Sequence, residues 1–413
     1  MGNIDKLQCM ECFRPFSEKR ELYTCQFCGS NISLDVWYNY QELKKTFTRE
    51  WLSKNNNFTH WRYFPILPIK SLKSVSMLSV GWTPLYDAGS LAKKMGIRKI
   101  FIKDDGLNPT GSLKDRASSI AVARALEDGV KKITCASTGN AASSLAGLSA
   151  SVGLEAFIFV PESAPAAKVT QLKIFGANVF LVKGSYEDAF NLSMMCVDEF
   201  KWYNRNSGIN PYLIEGKKTV ALEIAEQMNF KLPDWVFVAV GDGCTIAGVW
   251  KGFVDFLKLG FIKKIPKIVG VQAKGASPIY QAWHKKRQLT PMKPETMADS
   301  IAVGTPRSWK KAIRAVDETN GFFITVTDKE ILGAMKLLGS TCGIFGEPAG
   351  VTGLAGLIKA VKNRMIPRSS SSLIIVTGNG LKDISSAQKV SGNIFKIPVD
   401  FSALKKEIKH LNI

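Results

Sequence analysis

Histidine is scarce in this chain, which has three histidines among 413 residues: His60, His284 and His410. Because they are scattered in sequence, imidazole acid–base chemistry is not expected, and a lysine amine that works with a bound cofactor is favoured instead. No run approaches the roughly 18 apolar residues that a membrane-spanning helix needs. The N-terminus also lacks the apolar segment that is typical of a secretory signal. We therefore expect neither a membrane protein nor an imidazole-based enzyme.

The chain also lacks a basic tail or a long basic run, although its formal net charge is +20. A large positive charge favours anionic partners. Because the charge is spread in short pairs such as Lys131-Lys132, we expect a solvated surface and a small anionic substrate. A nucleic acid or membrane partner is disfavoured. The composition, with 46% hydrophobic and 22% charged residues, is that of an ordinary globular protein, and the length suggests two or three domains.

Half of the eight cysteines lie close together near the N-terminus. They form two Cys-x-x-Cys pairs separated by twelve residues: Cys9, Cys12, Cys25 and Cys28. This spacing predicts a four-thiolate zinc ribbon over residues 1–35, and four ligands leave no open position, so a structural Zn²⁺ is expected. The other four cysteines are single and widely spaced. Without a signal peptide, disulfides are not expected, and we predict a cytoplasmic protein.

From residue 98 onward, runs of β-branched and aromatic residues alternate with alanine-rich or amphipathic stretches. The predicted strands are 98–103, 131–136, 155–160, 177–182, 235–240, 267–273, 322–327 and 372–377. The predicted helices include 114–128, 140–152, 166–175, 186–203 and 218–229. This alternation predicts an α/β fold with parallel sheets covered on both faces. The expected divisions are an arm packed on the body at 36–97, a smaller α/β domain at 98–205, and a larger one at 206–413 that includes parts of 80–115.

Two loops at strand ends, where open α/β sheets bind ligands, carry candidate functional residues. Lys114 stands at a tight strand-to-helix turn and could hold a carbonyl cofactor as a Schiff base. A solvated lysine in a first helical turn is the alternative. Ser137, Thr138 and Gly139 lead into a helix N-terminus, which attracts anions, and we expect them to bind a substrate carboxylate. An ordinary capping loop is the alternative there.

Two further loops complete the set. The glycine-rich loop after the strand 235–240 could close its amide groups around a phosphate. Its residues are Gly241, Asp242, Gly243, Cys244 and Thr245. It is not a Walker loop, because no Gly-Lys-Ser/Thr follows. After the last strand, Thr377 could present a hydroxyl to a ring nitrogen. An amine, two anion sites and a hydroxyl are together what pyridoxal phosphate (PLP) needs.

Seven motifs extend this pattern over nearly the whole chain. They are 81–85 (GWTPL), 108–116 (NPTGSLKDR), 137–140 (STGN), 210–211 (NP), 215–219 (EGKKT), 347–350 (EPAG) and 377–383 (TGNGLKD). In these motifs the chain resembles the fold-type II PLP enzymes, whose two-domain fold is that of the tryptophan synthase β chain. Within them it most resembles the threonine synthase family, some members of which carry an N-terminal zinc ribbon.

The resemblance implies a role for each candidate residue. Lys114 would hold the cofactor and then act as the proton shuttle, Asn140 would bond the cofactor's phenolic oxygen, residues 241–245 would hold its phosphate, and Thr377 would face its pyridine nitrogen. The implied activity is γ-elimination on O-phosphohomoserine followed by addition of water at Cβ. The assembly is left open, with a homodimer as one candidate.

The chain departs from the family pattern at three places. Leu213 stands where an arginine that is expected to bind the substrate phosphate is common, Val80 stands where a glutamate is common, and the loop 241–245 differs in sequence. Either Lys217 or another lysine compensates, or the substrate differs. The alternatives are a related β-replacement or β-elimination enzyme, such as one that acts on O-phosphoserine, or a threonine or serine ammonia-lyase. A zinc-ribbon protein that binds nucleic acid on a degenerate scaffold is disfavoured, because Lys114 and the four loops are intact.

Overall fold

The computed structural model describes residues 4–19, 22–162, 164, 166–286 and 288–410. Its N-terminal strands are β1 (Ile4–Gln8), β2 (Pro15–Phe16), β3 (Thr24–Cys25), β4 (Gly29–Ser33) and β5 (Asp35–Tyr38). They form two small antiparallel sheets, one in the order β2-β1-β5 and one that pairs β3 with β4. The carboxylate of Asp35 forms ion pairs with Lys311 at 2.9 Å and Arg314 at 2.8 Å, which fix these strands to the body.

A mainly helical segment follows the N-terminal strands. It contains α1 (Tyr40–Thr46), α2 (Arg49–Lys54) and the 3-10 turns His60–Ile66 and Leu72–Ser74. Thr48 caps the N-terminus of helix α2, and its hydroxyl accepts a hydrogen bond from the Trp51 amide. Arg62, buried in this segment, forms a 2.6 Å ion pair with Glu226 of the body. Burial and this pair hold the segment in place.

The remaining elements alternate as expected for an α/β fold. Up to residue 204 they are β6 (Leu85–Asp87), α3 (Gly89–Met95), β7 (Lys99–Asp104), α4 (Lys114–Glu127), β8 (Lys132–Ala136), α5 (Asn140–Ala150), β9 (Glu155–Pro161), α6 (Ala166–Ile174), β10 (Asn178–Val182), α7 (Tyr186–Phe200) and β11 (Tyr203–Asn204). From residue 212 they are α8 (Tyr212–Lys217), α9 (Thr219–Gln227), β12 (Trp235–Ala239), α10 (Cys244–Leu259), β13 (Lys267–Ala273), α11 (Pro278–Lys285), α12 (Trp309–Asp317), β14 (Phe322–Val326), α13 (Asp328–Cys342), α14 (Pro348–Lys362), β15 (Ser371–Val376), α15 (Ile384–Gln388) and α16 (Phe401–His410). Single 3-10 turns lie at Asp105–Leu107, Lys274–Ala276, Asp299–Ile301 and Gly380–Asp383.

These strands form two large sheets. One has the order β10-β9-β8-β11 and is parallel throughout, and the other has the order β14-β13-β12-β15-β7-β6 and is parallel except for β6. All eight predicted strands are present, and the expected α/β fold is confirmed. The two additional strands, β6 and β11, are only three and two residues long, too short to show a periodic pattern.

The proposed domain boundaries remain a prediction. Within the described residues, no helix is both long and apolar enough to cross a bilayer.

A fully buried ion-pair network lies beneath the turn that carries Lys114. The Arg116 guanidinium pairs with Asp105 at 2.6 Å and with Glu223 at 2.5 Å, and Lys103 pairs with the same Glu223 at 2.7 Å. The two cations lower the pKa of the Glu223 carboxyl to about 2 against the opposing effect of burial. The network fixes helix α4 against strand β7 and helix α9.

We expect Glu223→Gln to lower the free energy of unfolding by about 3–5 kcal/mol, because it leaves two buried cations short of a counter-charge. Urea unfolding measures the change. Glu50→Gln is the matched control: Glu50 pairs with Lys54 on the surface, where their side chains are 75% and 73% exposed, and such pairs contribute less than about 1 kcal/mol. Equal small losses in both variants would contradict the prediction.

Candidate active site

One cavity, called here the main cavity, collects the residues that the sequence singles out. It has a volume of about 460 Å³. The predicted cofactor and substrate residues that line it are Lys114, Ser137, Thr138, Gly139, Asn140, Gly241, Asp242, Gly243, Cys244, Thr245 and Thr377. Three of the loops follow the carboxyl ends of the parallel strands β8, β12 and β15, the position where open α/β sheets bind ligands. The roles of the individual residues stay predictions.

The turn before Lys114 is closed by hydrogen bonds. The Asp115 carboxylate accepts bonds from the Thr110 amide at 2.7 Å and the Thr110 hydroxyl at 2.5 Å. The Leu113 amide donates to the Thr377 carbonyl oxygen at 2.9 Å, which ties the turn to the end of β15. Lys114 is thereby fixed as the first residue of α4, at the wall of the main cavity.

The electrostatic surroundings favour the neutral form of the Lys114 amine. Burial lowers its pKa to about 8, with the positive charges of Lys217 and Arg205 as the next causes. A lower pKa leaves more of the amine unprotonated near neutral pH. That is the form that attacks a carbonyl carbon or accepts a proton.

Asn140 begins helix α5 and contacts a residue for which the sequence gave no role. Its side-chain amide donates to Glu347 Oε1 at 2.7 Å and to the Ser300 hydroxyl at 3.2 Å. Burial raises the pKa of Glu347 to about 7. Glu347 stands in the EPAG motif, and its place in that motif is the sequence signal that could have identified it as a functional residue. A second cavity of about 430 Å³ shares Asn140 and Glu347 with the main cavity.

The glycine-rich loop between β12 and α10 is held tightly by the segment before α12. Gly243 has a φ of +95° and caps α10, and a Cβ there would lie 2.6 Å from the Ser308 carbonyl oxygen. The Asp242 carboxylate accepts a hydrogen bond from the Arg307 amide at 2.7 Å. Burial raises the pKa of the Cys244 thiol, which lies 3.1 Å from the Ser308 hydroxyl. The loop thus places the N-terminus of a helix at the cavity, an arrangement that suits a phosphate.

Comparisons with known proteins show the family to which the chain belongs. Residues 77–378 match the family described as pyridoxal-phosphate dependent enzyme. The threonine synthase of Methanocaldococcus jannaschii is 40% identical over 98% of this chain and 99% of its own length, and that of Methanosarcina acetivorans is 37% identical over 97% and 98%. The structure of maize serine racemase is similar with a TM-score of 0.62 at 26% identity, over 80% of this chain and 92% of its own. The chain belongs to the threonine synthase family of PLP-dependent enzymes.

The main cavity fits the cofactor on which the threonine synthase family depends. Lys114 would hold the carbonyl carbon, the amides at the start of α10 would bind the phosphate, and Asn140 and Thr377 would bond the ring's oxygen and nitrogen. Gly243 supports this fit, because a side chain at that position would collide with the Ser308 carbonyl and displace the loop. The residues that line the cavity therefore fit PLP in kind, while the role of each residue remains a prediction.

The four N-terminal cysteines also converge. The sulfur atoms of Cys9, Cys12, Cys25 and Cys28 all lie within 4.8 Å of one another, and those of Cys12 and Cys25 are 3.8 Å apart. Tetrahedral zinc with Zn–S bonds of about 2.3 Å would space its sulfur ligands by about 3.8 Å. The cluster is compatible with a zinc site, as the spacing predicts.

Leu213, the main departure from the threonine synthase pattern, does not line the main cavity. It is buried in an apolar cluster together with Val80 and Ala117. Two of the three departures are thus side chains of the core. Sequence reasoning missed other residues that do line the cavity, among them Tyr186, Ser207, Ser300 and Arg307.

Proposed function

We propose that this chain is a threonine synthase, which converts O-phospho-L-homoserine and water to L-threonine and phosphate. One observation carries the proposal. The Lys114 amine, two loops that suit anions and Thr377 meet in one cavity, in a chain 40% identical over 98% of its length to a curated threonine synthase. We further propose that the protein acts in the cytoplasm.

The reaction assigns distinct tasks to the chain's residues. Bound PLP would supply the electron-withdrawing group that makes protons on the substrate acidic. Protons must leave Cα and Cβ, the Cγ–O bond to phosphate must break, and protons must arrive at Cγ and Cα while hydroxide from water adds at Cβ. Lys114, with its pKa lowered to about 8, would accept and return these protons. Ser137, Thr138 and Gly139, before α5, would bind the substrate carboxylate.

The test is phosphate release by purified, PLP-loaded protein given O-phosphohomoserine, with the amino-acid product identified by chromatography. Release of phosphate in equal amount to threonine is the expected result. The same protein is then given O-phosphoserine with and without sulfite, and threonine with detection of oxobutyrate. Turnover of one of these, without threonine formation from O-phosphohomoserine, would replace the proposal with a related β-replacement or β-elimination activity.

We also propose that Cys9, Cys12, Cys25 and Cys28 bind a structural zinc ion. We expect Cys25→Ser to abolish stoichiometric zinc and to lower the unfolding midpoint, because the small N-terminal sheets have little core of their own. Zinc content by mass spectrometry and thermal unfolding measure both effects. Cys342→Ser, outside the cluster, should change neither. Full zinc retention by Cys25→Ser would contradict the assignment.

A further inference from the structure

Two buried cations beside the main cavity lack full partners. Lys217 and Arg205 are both 0% exposed. Within the described residues, neither the Lys217 Nζ nor the Arg205 Nη2 makes a hydrogen bond to a nitrogen or oxygen atom; the Cys244 thiol is a polar neighbour of the Lys217 amine. The other two guanidinium nitrogens of Arg205 donate to the Ser118 hydroxyl at 3.0 Å and the Ser207 hydroxyl at 3.1 Å. Burying a charge without a partner raises the free energy of the folded protein, so an anion bound at these atoms would be favourable.

Lys217 lies at the end of the cavity that carries the glycine-rich loop, and Arg205 lies behind the wall there, joined to the lining residue Ser207 by a 3.1 Å hydrogen bond. Lys217 and Ser207 line the main cavity together with the loop 241–245. Gly248, one turn into helix α10, allows the close approach: a Cβ there would lie 2.8 Å from the Lys217 Cβ. The electrostatic neighbours of Lys217 are Cys244, Arg205 and Asp242. The amine therefore lies near the N-terminus of α10, which itself favours an anion.

The nearby carboxylates are already engaged elsewhere. Asp242 accepts bonds from the Arg307 amide at 2.7 Å and from the Cys244 thiol at 3.1 Å. Asp115 accepts two bonds from Thr110. Within the described residues, no carboxylate oxygen lies within 4.0 Å of a side-chain nitrogen of Lys217 or Arg205, so neither residue forms an ion pair. The protein therefore leaves a positive site that a ligand can neutralise.

We propose that Lys217 and Arg205 form a binding site for a phosphate dianion, with Ser207 beside them. A dianion carries the two charges that would neutralise the two cations, and each charge-assisted hydrogen bond contributes appreciably to affinity. If the phosphate is that of the substrate, the site would do the work of the arginine that the family pattern has at the position of Leu213. The phosphate belongs either to the substrate or to the cofactor, and this choice rests on the proposed function.

The test compares Lys217→Gln and Arg205→Gln with the wild-type holoenzyme. Calorimetry measures the affinity of the PLP-loaded enzyme for inorganic phosphate. Absorbance titration measures the affinity of the apoenzyme for PLP. Steady-state kinetics gives kcat and KM separately for O-phosphohomoserine. We expect each variant to lose roughly 10- to 100-fold in affinity for either inorganic phosphate or PLP. Lys336→Gln, on the exposed face of α13, should change none of these values.

The two sources give different patterns. A loss of inorganic phosphate affinity and a raised KM, with PLP affinity unchanged, would assign the site to the substrate. A loss of PLP affinity would assign it to the cofactor. Unchanged affinities in both variants would overturn the proposal. The calorimetric and titration arms do not require turnover, so a wild-type enzyme without synthase activity would refute the proposed function while leaving this site testable.

The stability of the apoenzyme distinguishes a ligand-binding role of Lys217 and Arg205 from a packing role. Lys217→Gln removes a buried cation that has no ion-pair partner, so it should not lower the unfolding midpoint of the apoenzyme, and the stabilisation by added phosphate should disappear. Lys217→Arg, which keeps the charge, should retain part of the phosphate affinity. Apoenzyme that is strongly destabilised by both Lys217→Gln and Lys217→Met would indicate a packing role and contradict the proposal.

Discussion

Lys114→Ala should reduce threonine formation by about 10⁴-fold or to background, because one amine serves both as the attachment point of the cofactor and as the proton carrier. The PLP-loaded wild-type protein should be yellow, and borohydride should bleach it while fixing the cofactor to the peptide that contains Lys114. The variant should bind PLP without a covalent bond and lose it on gel filtration.

The loss should not come from unfolding. Lys114 lies close enough to Lys217 and Arg205 for both to lower its pKa, so removing its charge relieves repulsion and should not lower the unfolding midpoint. Lys336→Ala, on the exposed face of α13, serves as the control for loss of a lysine. Substantial activity in Lys114→Ala, or a cofactor fixed to another lysine, would refute the assignment.

Much of the fold was predictable because its signals are local. Buried parallel strands read as short apolar runs, such as Trp235–Ala239, and they alternate with helices. The candidate loops were predictable for the same reason, since ligand-binding residues follow the carboxyl ends of such strands. The sequence therefore predicts that Lys114, the loop 241–245 and Thr377 share one site, and all of them line the main cavity.

The missed residues depend on long-range geometry. Glu347 is 207 positions from Asn140 in sequence, yet it accepts a 2.7 Å hydrogen bond from it. Arg205 follows β11, a two-residue strand that gives no pattern of its own. The sequence also suggested that Leu213 alters the substrate site, but its side chain lies in the core. Both Leu213 and Lys217 are buried, but only Lys217 lines the main cavity, and motif position alone does not distinguish the two.

Gly243→Ala should weaken PLP binding by at least about 100-fold, because the new Cβ would lie 2.6 Å from the Ser308 carbonyl oxygen and the loop must shift. Overpacking and a strained positive φ each cost about 1–3 kcal/mol, and the shift also misplaces the amides at the start of α10. Absorbance titration with PLP and urea unfolding of the apoenzyme measure the two effects.

Helix α10 offers its own matched control for this variant. Gly260, at the other end of the helix, has a φ of +83° and would meet nothing within 4 Å of a Cβ. Gly260→Ala should therefore show the backbone strain alone, with a modest loss of stability and unchanged PLP affinity. If the two variants lost PLP affinity equally, the effect would reflect strain in the helix as a whole. A selective loss in Gly243→Ala would tie the geometry of the loop itself to recognition of the phosphate.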